Sequence, residues 1–140
     1  MSHWLSWALL SAIFAALTAI FAKAGVEEIH PDLATLLRTL VVVALLVAIV
    51  WWNVPSISIS GITAKGSLFL VLSGLGTGLS WFCYFRALKI GKASQVAPID
   101  KLSVVFVGVL AVMFLGERLS PGNWLGIALI SAGAICVALS

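Results

Sequence analysis

Of the chain's 140 residues, 62% are hydrophobic and only 9% are charged, where a soluble domain carries roughly 25% charged side chains. Eight Lys and Arg with five Asp and Glu cannot cover a water-soluble fold of this size, so the solvent is lipid. The net charge of +3 is small and scattered; it excludes a nucleic-acid partner and bears only on orientation.

A hydrocarbon core of about 30 Å takes about 20 helical residues to cross, and the apolar blocks have that length. Trp4 to Ala22 carries no charge. Leu33 to Val54 is interrupted only by Arg38, and Ser67 to Phe85 has no charge. Ala93 to Leu115 carries Asp100 and Lys101 near its start, and Asn123 to Leu139 is charge-free. A transmembrane barrel would show alternating strands of about ten residues. Continuous runs instead predict an all-α integral membrane protein, a bundle of five transmembrane helices at roughly 4–24, 33–54, 65–89, 93–115 and 121–139 of a single domain spanning 1–140. Met1 to Trp4 holds no Lys or Arg, so the first block is expected to be a retained helix and not a cleaved signal.

Helix ends are marked in the connections. Ala24-Gly25 is expected to close the first helix, with Glu27-Glu28 in a solvated loop. His30-Pro31-Asp32 opens the second with a proline and a capping acid. Asn53-Val54-Pro55 ends it, and Ser56 to Gly61 is expected to be a short loop despite its alternation, because a lone strand beside a bilayer has no backbone partner. Gly91 breaks the chain after the third helix. Glu117-Arg118 reads as an interfacial pair stopping the fourth, and Ser120-Pro121 opens the fifth.

Five spans place Lys65 and Arg118 on one side of the membrane and Lys23, Arg38, Arg86, Lys89, Lys92 and Lys101 on the other. The Lys/Arg bias then predicts an outer N-terminus and a cytoplasmic C-terminus. Trp4, Trp7, Trp51, Trp52 and Trp124 all fall at the expected outer interface, where amphipathic rings anchor helices.

No catalytic constellation, phosphate loop or metal-ligand spacing is present, so neither an enzyme nor a cofactor or metal is expected. Cys83 and Cys136 read as small apolar side chains within spans. Small residues recur at helical spacing: Ala12 and Ala16 in the first span, Gly74 and Gly78 in the third, Gly126 and Gly133 in the fifth. Such faces permit close backbone approach. They serve either packing within the bundle, or pairing of protomers and walls that slide.

The ionisable residues within spans are the functional lead, because such groups are costly in lipid and face an interior or a watery cavity. Asp100 follows Pro98, which lacks a backbone donor and should kink or loosen the helix. Arg38 lies at a similar distance into the second span from the same side, so Asp100, Lys101 and Arg38 are expected at one depth. One reading is an ion pair locking two helices, with Lys101 snorkelling. The other is a polar pocket that binds substrate or gates the cytoplasmic mouth, with Trp81 and Tyr84 as its aromatic wall.

These residues carry a resemblance. GLGTGLSWFCYFRAL from Gly74, GKASQVAPIDKLSVV from Gly91, LGERLS from Leu115 and WLGIALISAGAICVAL from Trp124 resemble the EamA domain of the drug/metabolite transporter superfamily. The resemblance covers essentially the whole chain. It implies a transporter of metabolites, amino acids or related compounds, commonly an exporter. It also implies that Asp100, Lys101 and the Pro98 segment lie on a substrate-facing helix, with Trp81 and Tyr84 near the cavity.

Many relatives carry two such domains in tandem. An odd number of spans inserts the copies in opposite orientations, with a site between them. This chain has one copy and looks like the C-terminal half of such a transporter. A homodimer or a hetero-oligomer with another five-helix unit is therefore expected, and the charge bias argues against dual insertion. The small multidrug resistance branch offers a contrast, since its members use an acidic residue in the first helix and this first helix has none. The partners expected are the lipid bilayer, a small-molecule substrate and that second unit. The rival reading is a non-transporting membrane subunit that stabilises or regulates a partner, including one in lipid-linked sugar translocation.

Overall fold

The structure is a computed structural model that describes residues 3–54 and 63–140. Its elements are α1 (His3–Glu28), α2 (Pro31–Asn53), α3 (Ala64–Ile90), α4 (Ala93–Asp100), α5 (Ser103–Leu110), a π-helical segment (Ala111–Leu115) and α6 (Pro121–Leu139). Among the described residues there is no strand. Five stretches are long and apolar enough to cross a membrane: Trp4–Glu28, Pro31–Asn53, Ala64–Ile90, Ala93–Leu115 and Pro121–Leu139. The all-α class and the five spans are those the sequence predicts. The proposed loop from Ser56 to Gly61 lies outside the described residues.

The chain divides into two compact units, one of Phe21–Lys89 and one of Met1–Ile20 with Ile90–Ser140. In the first, Ala22, Val26, Ala34, Phe85 and Leu88 are buried, with Val26 and Leu88 fully enclosed. In the second, α6 packs against α4 and α5, with Ala111, Ala134 and Gly108 buried. Leu, Ile, Val, Phe and Trp side chains otherwise face outward along most of each helix. In water that would be untenable, and in lipid it is the expected solvation. Three hydroxyls deep in the spans bond to their own helix. Thr39 donates to the Thr35 carbonyl at 2.7 Å, Thr77 to Ser73 at 2.9 Å and Ser131 to Ile127 at 2.8 Å, the i−4 back-bond that hides a hydroxyl from hydrocarbon.

Helix ends depart from expectation at three places. α1 does not close at Ala24-Gly25 but runs on to Glu28. A glycine inside a helix costs only about 1 kcal/mol, and burial of Val26 together with a Lys23–Glu27 pair at 3.5 Å favours the extra turn. Glu27 and Glu28 are therefore helical, not loop residues. At the start of α2, Pro31 takes the first turn as expected, but the cap is His30, whose ring nitrogen accepts from the Asp32 N–H at 3.4 Å. The Asp32 carboxylate is committed elsewhere.

The fourth span ends at Leu115 as expected, but the residue that closes it is Gly116 and not the Glu117-Arg118 pair. The Ala111 carbonyl accepts from the N–H groups of both Gly116 and Glu117, and Gly116 sits at φ +67°. That left-handed position is the one a side chain resists. We expect Gly116→Ala to lower the thermal stability of the purified protein by about 1 kcal/mol, read as a fall in melting temperature in detergent. The start of α6 follows expectation, with the Ser120 hydroxyl accepting from the Asn123 N–H at 3.2 Å and Pro121 in the first turn.

Candidate functional site

Two constellations hold the charges that the sequence places inside spans. The first lies in the Phe21–Lys89 unit. Arg38 is the eighth residue of α2, about 10 Å along the axis from its start at 1.5 Å per residue. Its guanidinium stacks over the Trp81 ring of α3, 3.9 Å from the centroid, with the Phe85 ring at 5.7 Å. Trp81 and Phe85 are four residues apart and so share one face of α3. Tyr84 stands edge-on to Phe85, centroids 6.5 Å apart and planes at 66°. Arg38, Trp81 and Tyr84, three of the residues singled out from the sequence, thus lie around one aromatic wall. Phe85 completes it.

Magnitudes show what this stack leaves undone. An arginine near the middle of a span costs about 2.5–3.5 kcal/mol on insertion scales. A desolvated cation–π contact returns about 2 kcal/mol. The carboxylates of the unit do not supply the rest. Asp32 accepts from Arg86 Nε at 3.3 Å and Nη2 at 3.1 Å, and Glu27 faces Lys23. Among the described residues of this unit, Arg38 has no carboxylate partner.

The lysines at the same end of the unit are spent on backbone. Lys23 of α1 donates to the Leu88 carbonyl in the last turn of α3 at 2.9 Å. Lys89 of α3 donates to the Val26 and Glu27 carbonyls in the last turn of α1 at 2.7 and 2.9 Å. Each helix thus supplies the cation that caps the other's C-terminus, where unpaired carbonyls and the macrodipole favour positive charge. Arg86, stacked over Phe82 at 4.0 Å, ties the start of α2 to the end of α3 through Asp32. Sequence reasoning missed these ties. The signal for them was present, since antiparallel spans bring the start of α2 and the ends of α1 and α3 to one side of the membrane.

The second constellation lies at the break in the fourth span. α4 stops at Asp100, Lys101 and Leu102 form a turn, and α5 resumes at Ser103. Pro98 has no N–H to offer the Ser94 carbonyl. The bonds that follow are tight i→i−3 contacts, Lys101 to Pro98, Leu102 to Ile99 and Val104 to Lys101, each 3.0 Å. Irregular backbone at membrane depth is tolerated where protein or water covers it. At this break the Lys101 ammonium pairs with Asp100 at 3.2 Å, both side chains partly exposed. Arg38 and Asp100 therefore belong to different units, each with its own contact.

Of the small residues, Ala12 and Ala16 face outward, and a Cβ added at Gly74, Gly78, Gly126 or Gly133 would meet nothing within 4 Å. The tight approach falls instead at Gly108 of α5, where a Cβ would lie 2.9 Å from Ile127 Cδ1 of α6. Cys83 and Cys136 are free, exposed thiols.

Five spans, a proline-broken fourth helix and charges inside the spans accompany a match of residues 2–139 to the model of the EamA-like transporter family. The chain belongs to that family. An uncharacterized transporter from the cobO 3′ region of a Sinorhizobium species is 55% identical over 140 residues, covering 97% of this chain and 96% of that protein. YxxF, an uncharacterized transporter of Bacillus subtilis, is 26% identical over 134 residues, 95% of this chain but only 42% of YxxF. Solute carrier family 35 member F6 of Mus musculus is 37% identical over 56 residues, 15% of its length. No solved structure matches the chain. This EamA-like protein is accordingly a multi-pass membrane protein of a transporter family.

Proposed function

We propose that this EamA-like chain exports small metabolites or amino-acid-like solutes across the inner (plasma) membrane, working as an oligomer by alternating access. The observation that carries the reading is the Asp100–Lys101 pair at the break in the fourth span. A span surrounded only by lipid has no reason to retain an acid–base pair beside an interrupted backbone. A span that lines an aqueous path does, because water and solute satisfy both. Asp100 and Lys101 bind solute or gate its passage, and the turn after Pro98 is where that helix bends. Arg38, Trp81 and Tyr84 form a second polar–aromatic contact in the path.

The small-residue faces at Ala12 and Ala16, Gly74 and Gly78, and Gly126 and Gly133 seat a second five-helix unit, in a homodimer or a hetero-oligomer. Their openness within the chain supports that role. The YxxF match supports it too, since nearly the whole chain aligns to well under half of that protein. The Lys/Arg distribution supports an N-terminus outside and a C-terminus in the cytoplasm. No covalent chemistry is required of any residue.

Asp100→Asn tests the reading, with efflux of labelled amino acids and small organic acids measured from preloaded cells. The variant should reach the membrane at the normal level yet lose at least about tenfold in rate, the loss of one charge contact worth about 1.4 kcal/mol or more. Unchanged efflux at equal expression removes Asp100 from the path.

A further inference from the structure

We infer that Arg38 and the α3 aromatic wall form an oxyanion subsite that takes the carboxylate of an organic acid with an apolar flank. This rests on the transporter reading and deepens it by naming a substrate class. The geometry of the stack is the argument. Trp81 covers one face of the guanidinium at 3.9 Å, and Phe85 approaches at 5.7 Å. A stack uses the face of the cation and leaves its in-plane N–H edge available. Among the described residues no carboxylate pairs with the Arg38 side chain, whose electrostatic neighbour is Tyr84. At that end of the unit Arg86 pairs with Asp32, and Lys23 and Lys89 donate to carbonyls, whereas the Arg38 guanidinium meets aromatic rings and no carboxylate.

Those donors form a planar fork that fits two oxygens of a carboxylate or a phosphate. The ring that orients the fork also offers an apolar surface to whatever carries the anion. Tyr84 and Phe85 extend that surface along α3. An oxyanion could also come from a lipid headgroup, reaching in from the nearer end of α2. The chemistry is the same, and the experiment separates the two sources.

The purified full chain in maltoside detergent, which carries no oxyanion, would be titrated calorimetrically with phenylacetate, with its neutral isostere phenylacetamide, and with short-chain phosphatidylglycerol. Saturable binding of phenylacetate, at least about tenfold weaker binding of phenylacetamide, and a similar loss for phenylacetate in Arg38→Lys establish the subsite for a solute carboxylate. Arg38→Lys keeps the charge and loses the fork, so a structural role alone does not move it in this way. The isostere comparison needs only the wild-type protein, so it stands even where a variant fails to fold. Arg38-dependent binding of phosphatidylglycerol with none of phenylacetate overturns the solute assignment and leaves a headgroup site. Binding that ignores Arg38, or no binding at all, overturns the subsite outright.

Asp100→Asn separates this inference from the reading beneath it. Phenylacetate binding by the wild-type protein together with loss of efflux in that variant supports both. Carboxylate binding in a wild-type protein that moves no solute overturns transport and leaves the subsite standing. Asp100-dependent efflux with no carboxylate binding does the reverse.

Discussion

Gly108→Leu should lower the melting temperature of the detergent-purified protein sharply, and Ile127→Ala should restore much of the loss. Gly108 is buried where α5 meets α6, and even a Cβ there would stand 2.9 Å from Ile127 Cδ1, with Leu119 at 3.7 Å and Trp124 at 3.9 Å. The size of the substitution decides the outcome. Gly108→Ala adds one carbon against the far end of a flexible side chain, which can turn away. It also gains about 0.5–1 kcal/mol from lost backbone freedom in the unfolded chain. The two terms nearly cancel, so the alanine variant should sit within about 1 kcal/mol of the parent. Leucine adds three further carbons with no room to turn. Overpacking of that kind costs typically about 1–3 kcal/mol and occasionally more. The double variant removes the obstructing δ-carbon, so the two changes should couple and not add. A leucine variant as stable as the parent would mean that α5 and α6 do not approach closely at this point.

The spans were readable because lipid imposes a length and a composition that few other environments demand. Each of the five blocks falls on a span of the structure, the fourth of them broken at Lys101-Leu102, and the serine-proline start of α6 is present with its hydroxyl cap. Helix ends were less readable where a residue type had two uses. Gly25 looked like a terminator, yet it lies inside α1, because the decision belongs to the burial of Val26 and to cations on another helix. Asp32 looked like a cap, yet its carboxylate meets Arg86 and a histidine takes the cap. Gly108 was passed over for glycines with more suggestive spacing, because spacing reports which residues share a face and not which face meets a neighbour. In the candidate site, an arginine and two aromatics could be named from the cost of charge in lipid and from a family likeness. That Arg38 lies over Trp81 depends on the facing of α2 and α3, which no single span encodes.

That same limit hid the lysines, and their removal is the second large effect. Lys23→Met and Lys89→Met together should destabilise the protein by about 2–3 kcal/mol and loosen α1 from α3. Each ammonium donates to carbonyls that the helix itself cannot satisfy, Lys23 to Leu88 at 2.9 Å and Lys89 to Val26 and Glu27 at 2.7 and 2.9 Å. A hydrogen bond to a charged group is worth about 1.5–3 kcal/mol, discounted here because both side chains keep some exposure. Methionine preserves the stem and its packing, so the loss reports the charge and not the volume. The single variants should each cost about 1–2 kcal/mol, with Lys23→Met also releasing Glu27 from its pair at 3.5 Å. Because both contacts join the same two helix ends, the second loss should be smaller once the first has freed them, and a double-mutant cycle measures that coupling. Lys89→Arg should retain most of the stability, since a guanidinium can still reach two carbonyls. The check is a thermal melt of the five proteins in one detergent, with cleavage after Glu27-Glu28 by a glutamate-specific protease as a local readout at the end of α1. Faster cleavage there, matched to a lower melting temperature, identifies the clasp as what holds that end closed. Equal melts for parent and double variant would assign the lysines to orientation in the membrane alone.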